Sequence, residues 1–99
     1  MKAAFNKLIA SNKLVLIDFH ATWCGPCKAM SPRIKSIVKK MKGEVKVIKI
    51  DIDRNKSLSH NLKIKGVPTF MLYKNGRQLW RQSGMMTENE LLKIVKSNI

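Results

Sequence analysis

The stretch that decides the fold is Trp23-Cys24-Gly25-Pro26-Cys27, which holds both cysteines of this 99-residue chain. The almost continuously apolar run at 14–19 comes just before it and predicts a strand buried on both faces of a sheet. Apolar residues at helical spacing follow it and predict a helix. A Cys-x-x-Cys pair between a strand and a helix is typical of a dithiol–disulfide redox centre.

Two other uses of a cysteine pair at this spacing are open. A zinc site needs about four ligands, and only His20 and His60 remain as further nitrogen ligands, on separate segments. A purely structural disulfide is disfavoured because so short a loop constrains little of the unfolded chain. The sequence therefore favours redox chemistry with no bound metal.

The length and composition predict one domain over residues 1–99, since 44% of the residues are hydrophobic and a second core would not fit. No secretory signal or membrane-spanning run is apparent, which predicts a cytoplasmic protein. A signal removed before this sequence begins would leave the same pattern.

The formal net charge of +14 is the unusual feature of the composition. Basic residues are spread from Lys2 to Lys96, and the longest uninterrupted basic run is the pair at 39–40. Scattered charge of this kind favours a solvated surface over a specific nucleic-acid site, although an acidic partner remains an alternative.

The periodicity predicts an α/β fold with element order α-β-α-β-α-β-β-α and a mixed sheet of about four strands, flanked by helices on both faces. The first two strands should be parallel because a helix joins them. The predicted elements are a helix at 1–10, a strand at 14–19, a helix from 24 or 26 to about 42 that Pro32 should kink, a strand at 44–52, a short helix at 57–62, a strand at 69–73, a turn at 74–77, a strand at 78–82 and a last helix opened by a capping box at 87–90.

In this order of motifs the chain resembles the thioredoxin family over nearly all of its length. The matching features are Ile17-Asp18-Phe19, Trp23-Cys24-Gly25-Pro26-Cys27, Pro32, Lys49-Ile50-Asp51, Gly66-Val67-Pro68-Thr69, Asn75-Gly76 and Gly84. The chain departs from the family at His20, where a large aromatic residue is usual, and in its high positive charge.

The resemblance and the residue chemistry together assign three catalytic roles. Cys24, at the start of a helix, is the predicted nucleophile, because free backbone N–H groups and the helix dipole lower a thiol pKa there. Cys27, one turn further on, is the predicted resolving thiol, and Gly25 and Pro26 hold the turn between them. Asp18 lies in an apolar strand and is the predicted proton acceptor for Cys27, as the family has an aspartate there.

The resemblance implies further site residues. Lys49 matches a family lysine near the aspartate, although an outward-facing strand lysine is an equal alternative. Pro68 matches a family cis-proline that faces the disulfide. An apolar substrate rim is implied, consisting of Trp23, Gly66, Val67, Gly84 and Met85.

His20 leaves two interpretations open. It is either a half-buried histidine bonded to a nearby carbonyl, or a titratable group whose positive charge stabilises the Cys24 thiolate.

The resemblance implies a monomeric protein-disulfide reductase that binds no cofactor. Its Cys24–Cys27 disulfide would be reduced by a thioredoxin reductase at the expense of NADPH, and its partners would be disulfide-containing client proteins, with no specific nucleic acid and no membrane. The Gly-Pro pair between the cysteines resembles reducing members. The alternatives are a specialised or periplasmic thiol-disulfide oxidoreductase and a non-catalytic docking subunit.

Overall fold

The computed structural model describes residues 2–99, so Met1, which the sequence placed in the first helix, lies outside the described residues. The predicted order of helices and strands is confirmed. The elements are α1 (Lys2–Ile9), β1 (Leu14–His20), α2 (Gly25–Met41), β2 (Val45–Asp51), α3 (Lys56–Asn61), β3 (Thr69–Lys74), β4 (Arg77–Ser83) and α4 (Glu88–Ser97).

The four strands form one mixed sheet in the order β2-β1-β3-β4. β1 pairs with β2 in parallel, as the connecting helix requires, and with β3 in antiparallel fashion. The β3–β4 hairpin turns at Asn75 and Gly76, whose φ angles are 53° and 77°. Positive φ at both central residues is the geometry of a type I′ turn, which asparagine and glycine tolerate best.

The central position of β1 explains why its sequence is apolar on both sides, since its residues alternate between two buried clusters. One cluster lies between the sheet and the helices α2 and α4, and it contains Leu14, Leu16, Met30, Ile34, Ile37, Met41, Val45, Phe70, Leu72, Met86, Leu91 and Val95. The other lies against α1 and α3, and it contains Phe5, Ile9, Val15, Ile17, Phe19, Ile50, Leu58, Met71 and Tyr73. The prediction of helices on both faces is therefore confirmed.

The ends of the two long helices follow local sequence signals. Thr87 caps α4, where its hydroxyl accepts a hydrogen bond from the Glu90 N–H at 3.1 Å and Glu90 bonds back to the Thr87 N–H, which confirms the capping box. α2 ends at Met41, and the left-handed backbone begins at Lys42 and continues at Gly43. α2 runs through Pro32 as one helix, and the kink there stays a prediction.

Candidate active site

The two cysteines occupy the first turn of α2, directly after the buried strand β1. Cys24 is the N-cap residue, with extended backbone, and Cys27 is the third helical residue. Gly25 and Pro26 are the first two helical residues, where a proline forfeits no helical hydrogen bond. The two cysteines are joined as a disulfide, with their Cα atoms 5.3 Å apart. The predicted strand–turn–helix setting of the pair is thus confirmed.

The surroundings of the Cys24 sulfur favour a negative charge on it. The Cys27 backbone N–H donates to the Cys24 sulfur, with the nitrogen 3.1 Å away, so the sulfur serves as the helix cap. A free N–H and the positive end of a helix dipole both stabilise a thiolate relative to a thiol. The carbonyl oxygen of Val67 lies 3.7 Å from the same sulfur, on the opposite wall of the site.

Exposure does not distinguish the two cysteines in this disulfide form. Cys24 is 4% exposed and Cys27 is 8% exposed, so both residues are buried to a similar extent. Both pack in a small third cluster with Ala21, beside Val67. What separates the two thiols is their place on α2, because only Cys24 receives a backbone N–H of the helix on its sulfur.

Asp18 is buried beneath the dithiol. Its side chain is 3% exposed, and its Oδ1 atom has no hydrogen-bond partner. Burial raises the pKa of this carboxyl above its ordinary value of 3.8, and the charges of His20 and then Lys49 oppose the rise. Such a carboxyl is poised to hold a proton at a higher pH than a surface aspartate does.

A cavity connects Asp18 with the second cysteine. Its volume is about 170 Å³, and its walls include Asp18, His20, Cys27, Lys28 and Lys49. Water occupies roughly 30 Å³ per molecule in the liquid, so the cavity has room for a water-mediated proton path. Of the two cysteines, Cys27 lines this cavity and Cys24 does not.

Lys49 fits both of its predicted interpretations. It is exposed, and its Nζ donates to the Ser31 Oγ at 3.1 Å. It is also the register partner of Asp18 across the β1–β2 pair, and residues paired in this way point to the same face of a sheet. The positive charge of Lys49 therefore lowers the pKa of Asp18, although the Lys49 side chain is exposed to solvent.

His20 closes β1 two residues after Asp18 and is half-buried, and its two interpretations, a bond from its ring to a carbonyl and an effect on Cys24, stay predictions. Alternation along a strand places both residues on the α2 face of the sheet. Its backbone carbonyl accepts a hydrogen bond from the Ile52 N–H at 2.9 Å. Its charge acts on the Asp18 carboxyl, a target that the sequence did not single out.

The predicted rim residues lie in three segments, at 23, 66–67 and 84–85, and Val67 packs against the two cysteines. Trp23 is 67% exposed and Met85 is 48% exposed, while Gly66 and Gly84 are exposed and Val67 is half-buried. The Val67-Pro68 peptide bond is cis, as the resemblance implied. The Gly84 N–H donates to the Pro68 carbonyl at 2.8 Å. This bond joins the segment that follows β4 to the segment of Val67 and Pro68.

Gly84 is required by its backbone conformation and not by a lack of space. A side-chain carbon placed there would meet no atom within 4 Å, so glycine is not needed to leave room. Its φ of +99° lies where other residues are strained, and the backbone conformation is what requires glycine.

Two structural contacts of the rim were missed from the sequence. Asp53 Oδ2 accepts a hydrogen bond from the Trp23 indole Nε1 at 2.8 Å, and this holds the exposed ring in place. The Arg33 guanidinium donates to the Met86 carbonyl at 2.7 Å and fixes the chain just after the rim. Both bonds join residues at least 30 positions apart, and no local pattern signals them.

Metal chemistry finds no support in the part of the chain that the structure describes. Within residues 2–99, no group of three or more His, Cys, Asp or Glu side chains could hold a metal ion. His60, the second candidate nitrogen ligand, is exposed on α3. None of the described helices has the length and hydropathy needed to cross a membrane.

A redox-active cysteine pair at a helix N-terminus, a buried carboxyl behind it and an apolar rim define the class of the protein, a dithiol–disulfide oxidoreductase. Comparison with known proteins agrees. The profile of the thioredoxin family matches residues 1–97. The chain therefore belongs to the thioredoxin family, and it is a protein-disulfide reductase that works by dithiol–disulfide exchange through Cys24 and Cys27.

Individual relatives span the whole chain. A thioredoxin of Rickettsia felis is 42% identical over 98 residues, which cover 98% of this chain and 93% of that protein. The chloroplastic thioredoxin Y of Oryza sativa is 36% identical over 96 residues, which cover 96% of this chain and 57% of that protein. The crystal structure of mitochondrial thioredoxin 3 from Saccharomyces cerevisiae superposes with a TM-score of 0.87 at 32% identity, covering 97% of this chain and 89% of that one.

Proposed function

We propose that Cys24 is the attacking thiol, Cys27 the resolving thiol and Asp18 the proton acceptor in the reduction of protein disulfides. The observation that carries these roles is the asymmetry of the pair: the Cys24 sulfur receives the helix N–H, while the cavity above Asp18 reaches Cys27. Lys49 lowers the energy of the ionised carboxyl, and Gly25 and Pro26 set the spacing of the two thiols.

The cycle begins with the reduced dithiol. The Cys24 thiolate attacks one sulfur of a client disulfide, the client S–S bond breaks, and the departing client thiolate takes up a proton. Cys27 then passes its proton through water to Asp18 and attacks the Cys24 sulfur of the mixed disulfide. The second client thiolate leaves, the Cys24–Cys27 disulfide forms, and two electrons have passed to the client.

The rim residues Trp23, Gly66, Val67, Gly84 and Met85 bind the client in this proposal. The Val67 carbonyl oxygen lies 3.7 Å from the Cys24 sulfur, so the Val67 backbone borders the disulfide, where an extended client segment can pair with it as an added strand. The two exposed apolar side chains, Trp23 and Met85, supply contact area on either side.

A thioredoxin reductase that draws on NADPH regenerates the dithiol, and no cofactor is bound by the chain itself. We further propose that residues 1–99 form one domain that acts as a monomer in the cytoplasm. One sheet with a buried cluster on each face supports the single domain. The relatives include both bacterial and chloroplastic thioredoxins, so they do not decide the compartment. The proposal of a cytoplasmic location is therefore based on the reducing chemistry alone.

An insulin reduction assay coupled to NADPH and a thioredoxin reductase tests the function. The wild-type chain should turn over, and Cys24→Ser should abolish turnover. Cys27→Ser should accumulate a mixed disulfide with the client, because the attacking thiol remains while the resolving one is gone. Trapping by Cys24→Ser instead of Cys27→Ser would reverse the assigned roles.

The same variants separate the alternatives. A docking subunit would keep its partner binding when both cysteines are serine, whereas a reductase loses its activity. A reduction potential of roughly −270 mV is usual for reducing thioredoxins, and roughly −120 mV marks a strongly oxidising periplasmic member. A value near the second figure would favour the specialised oxidoreductase.

A further inference from the structure

The methionines of this chain differ sharply in exposure. The sequence has six, of which the structure describes five. Four of these are at most 4% exposed, namely Met30, Met41, Met71 and Met86. Met85 is 48% exposed, so among residues 2–99 it is the one methionine whose sulfur a solute can reach freely.

The exposure of Met85 is a consequence of how its neighbour is anchored. Met86 is buried in the cluster beneath α2 and α4, and its carbonyl accepts the hydrogen bond from Arg33 at 2.7 Å. Its backbone N–H points to the Met30 sulfur, 3.5 Å away. With Met86 fixed inward and the α4 cap at Thr87 following, the chain has to present Met85 outward.

Met85 also belongs to a segment that is tied to one wall of the active site. It follows Gly84, whose N–H bonds to the Pro68 carbonyl at 2.8 Å. Pro68 in turn follows Val67, whose carbonyl oxygen is 3.7 Å from the Cys24 sulfur. A chemical change of the Met85 side chain therefore alters the surface that we propose binds the client.

We propose that Met85 is a modification site, at which a hydroperoxide converts the thioether to a sulfoxide and thereby weakens client docking. The inference rests on the rim binding clients, as proposed above. The sulfur gives an electron pair to the outer peroxide oxygen, the S–O bond forms and the O–O bond breaks. The oxygen now bonded to sulfur gives up its proton, and the displaced hydroxide or alkoxide takes up one proton and leaves as water or as an alcohol.

The consequence follows from the change in polarity. A thioether is a flexible apolar contact, whereas a sulfoxide is polar and must keep its hydration. On an apolar rim this weakens binding without touching the thiols. Methionine sulfoxide reductases, which consume thiols, reverse the change.

The disulfide form allows a clean experiment, because neither cysteine presents a thiolate to the oxidant. The protein is oxidised with hydrogen peroxide, peptide-mapped by mass spectrometry, reduced and assayed with insulin and with a small aryl disulfide. Fragment ions should place one added oxygen on Met85 and not on the adjacent Met86, well before the peptides that carry Met30, Met41 and Met71 gain oxygen. KM for insulin should rise roughly threefold to tenfold, with the small disulfide unaffected.

Matched variants separate the modification from general damage. Each is compared with its own untreated sample. Met85→Leu should lose the peroxide response, since leucine is apolar and has no sulfur, and Met85→Gln should show raised KM without peroxide. Met41→Leu, the same substitution at a buried site, should respond to peroxide as the wild type does.

Two results would overturn the inference: oxidation of a buried methionine ahead of Met85, or an unchanged insulin KM once Met85 is fully oxidised. A peroxide response that persists in Met85→Leu would also refute it. If the untreated wild type fails to reduce insulin, the proposed function fails instead, and the two failures are therefore distinguishable.

Discussion

Replacing Asp18 by asparagine should stabilise the protein while it slows catalysis. The substitution keeps the shape of the side chain and removes its charge. In the wild type the carboxyl is 3% exposed and its Oδ1 atom has no partner, so the ionised form is poorly solvated. Asparagine avoids that cost because it is neutral in both the folded and the unfolded chain.

The sign of the pH dependence follows from the raised pKa. Below the ordinary value of 3.8 the carboxyl is protonated in both states and costs nothing. As the pH rises through the higher pKa of the folded state, the unfolded chain binds fewer protons than the native one, and the wild type loses stability. Each unit of difference is worth about 1.4 kcal/mol.

The size of the effect is set by two opposing contributions. Desolvation by burial is the largest influence on Asp18, and the attraction of His20 and Lys49 offsets part of it. Because burial is the larger contribution, the ionised carboxyl destabilises the folded protein overall. We expect Asp18→Asn to be more stable than the wild type by about 1–3 kcal/mol at pH 7, because a buried charge costs more than a buried neutral amide, with little difference near pH 3.5.

Urea unfolding of the disulfide form at pH 3.5 and pH 7 measures the difference in free energy. Glu44→Gln is the matched control: Glu44 is exposed, so its substitution should change stability by less than about 0.5 kcal/mol at either pH. Single-turnover kinetics should show the resolving step of Asp18→Asn slowed, by about a hundredfold if the carboxyl is the sole proton acceptor. A wild type as stable as Asp18→Asn at pH 7, or an unaltered resolving step, would refute this reasoning.

Three further substitutions test single contacts. His20→Gln should raise the pKa of Asp18, measured by NMR titration of its carboxyl carbon, because an opposing positive charge is lost; His60→Gln, at the exposed histidine on α3, should leave it unchanged. Thr87→Ala should lower the free energy of unfolding in urea by about 1 kcal/mol, since it removes the α4 cap. Arg81→Lys should speed amide hydrogen exchange just after α3, because a lysine cannot reproduce the two-pronged bonds that Arg81 donates to the carbonyls there at 2.6 Å and 2.9 Å.

Much of the fold was predictable because its signals are local. The Asn75-Gly76 turn needs two residues that tolerate positive φ, and the α4 cap needs a threonine three residues before a glutamate. The register irregularity between Leu72 and Tyr73 has no such signal. It depends on how β4 lies along β3, which a single stretch of sequence does not contain.

The active site divides in the same way. The place of Cys24 and Cys27 on α2 follows from the strand, the turn and the helix around them. The bonds from Trp23 to Asp53 and from Arg33 to the Met86 carbonyl depend on the folded chain, since they join distant segments. The similar exposure of the two cysteines could not be predicted either. It depends on packing against Val67, which is distant from both cysteines in the sequence.

The burial of Asp18 lowers the stability of the folded protein, and its proposed role in proton transfer requires that burial. Buried carboxyls are usually bonded or paired, whereas Asp18 keeps one buried oxygen without a partner and lines the cavity that leads to Cys27. A leucine would pack there at no electrostatic cost, but it could not hold a proton. His20 and Lys49 reduce the cost from the solvent side without bonding the oxygen, so the carboxyl stays free to accept. The unfavourable burial of Asp18 is therefore what a proton acceptor beneath a resolving thiol requires.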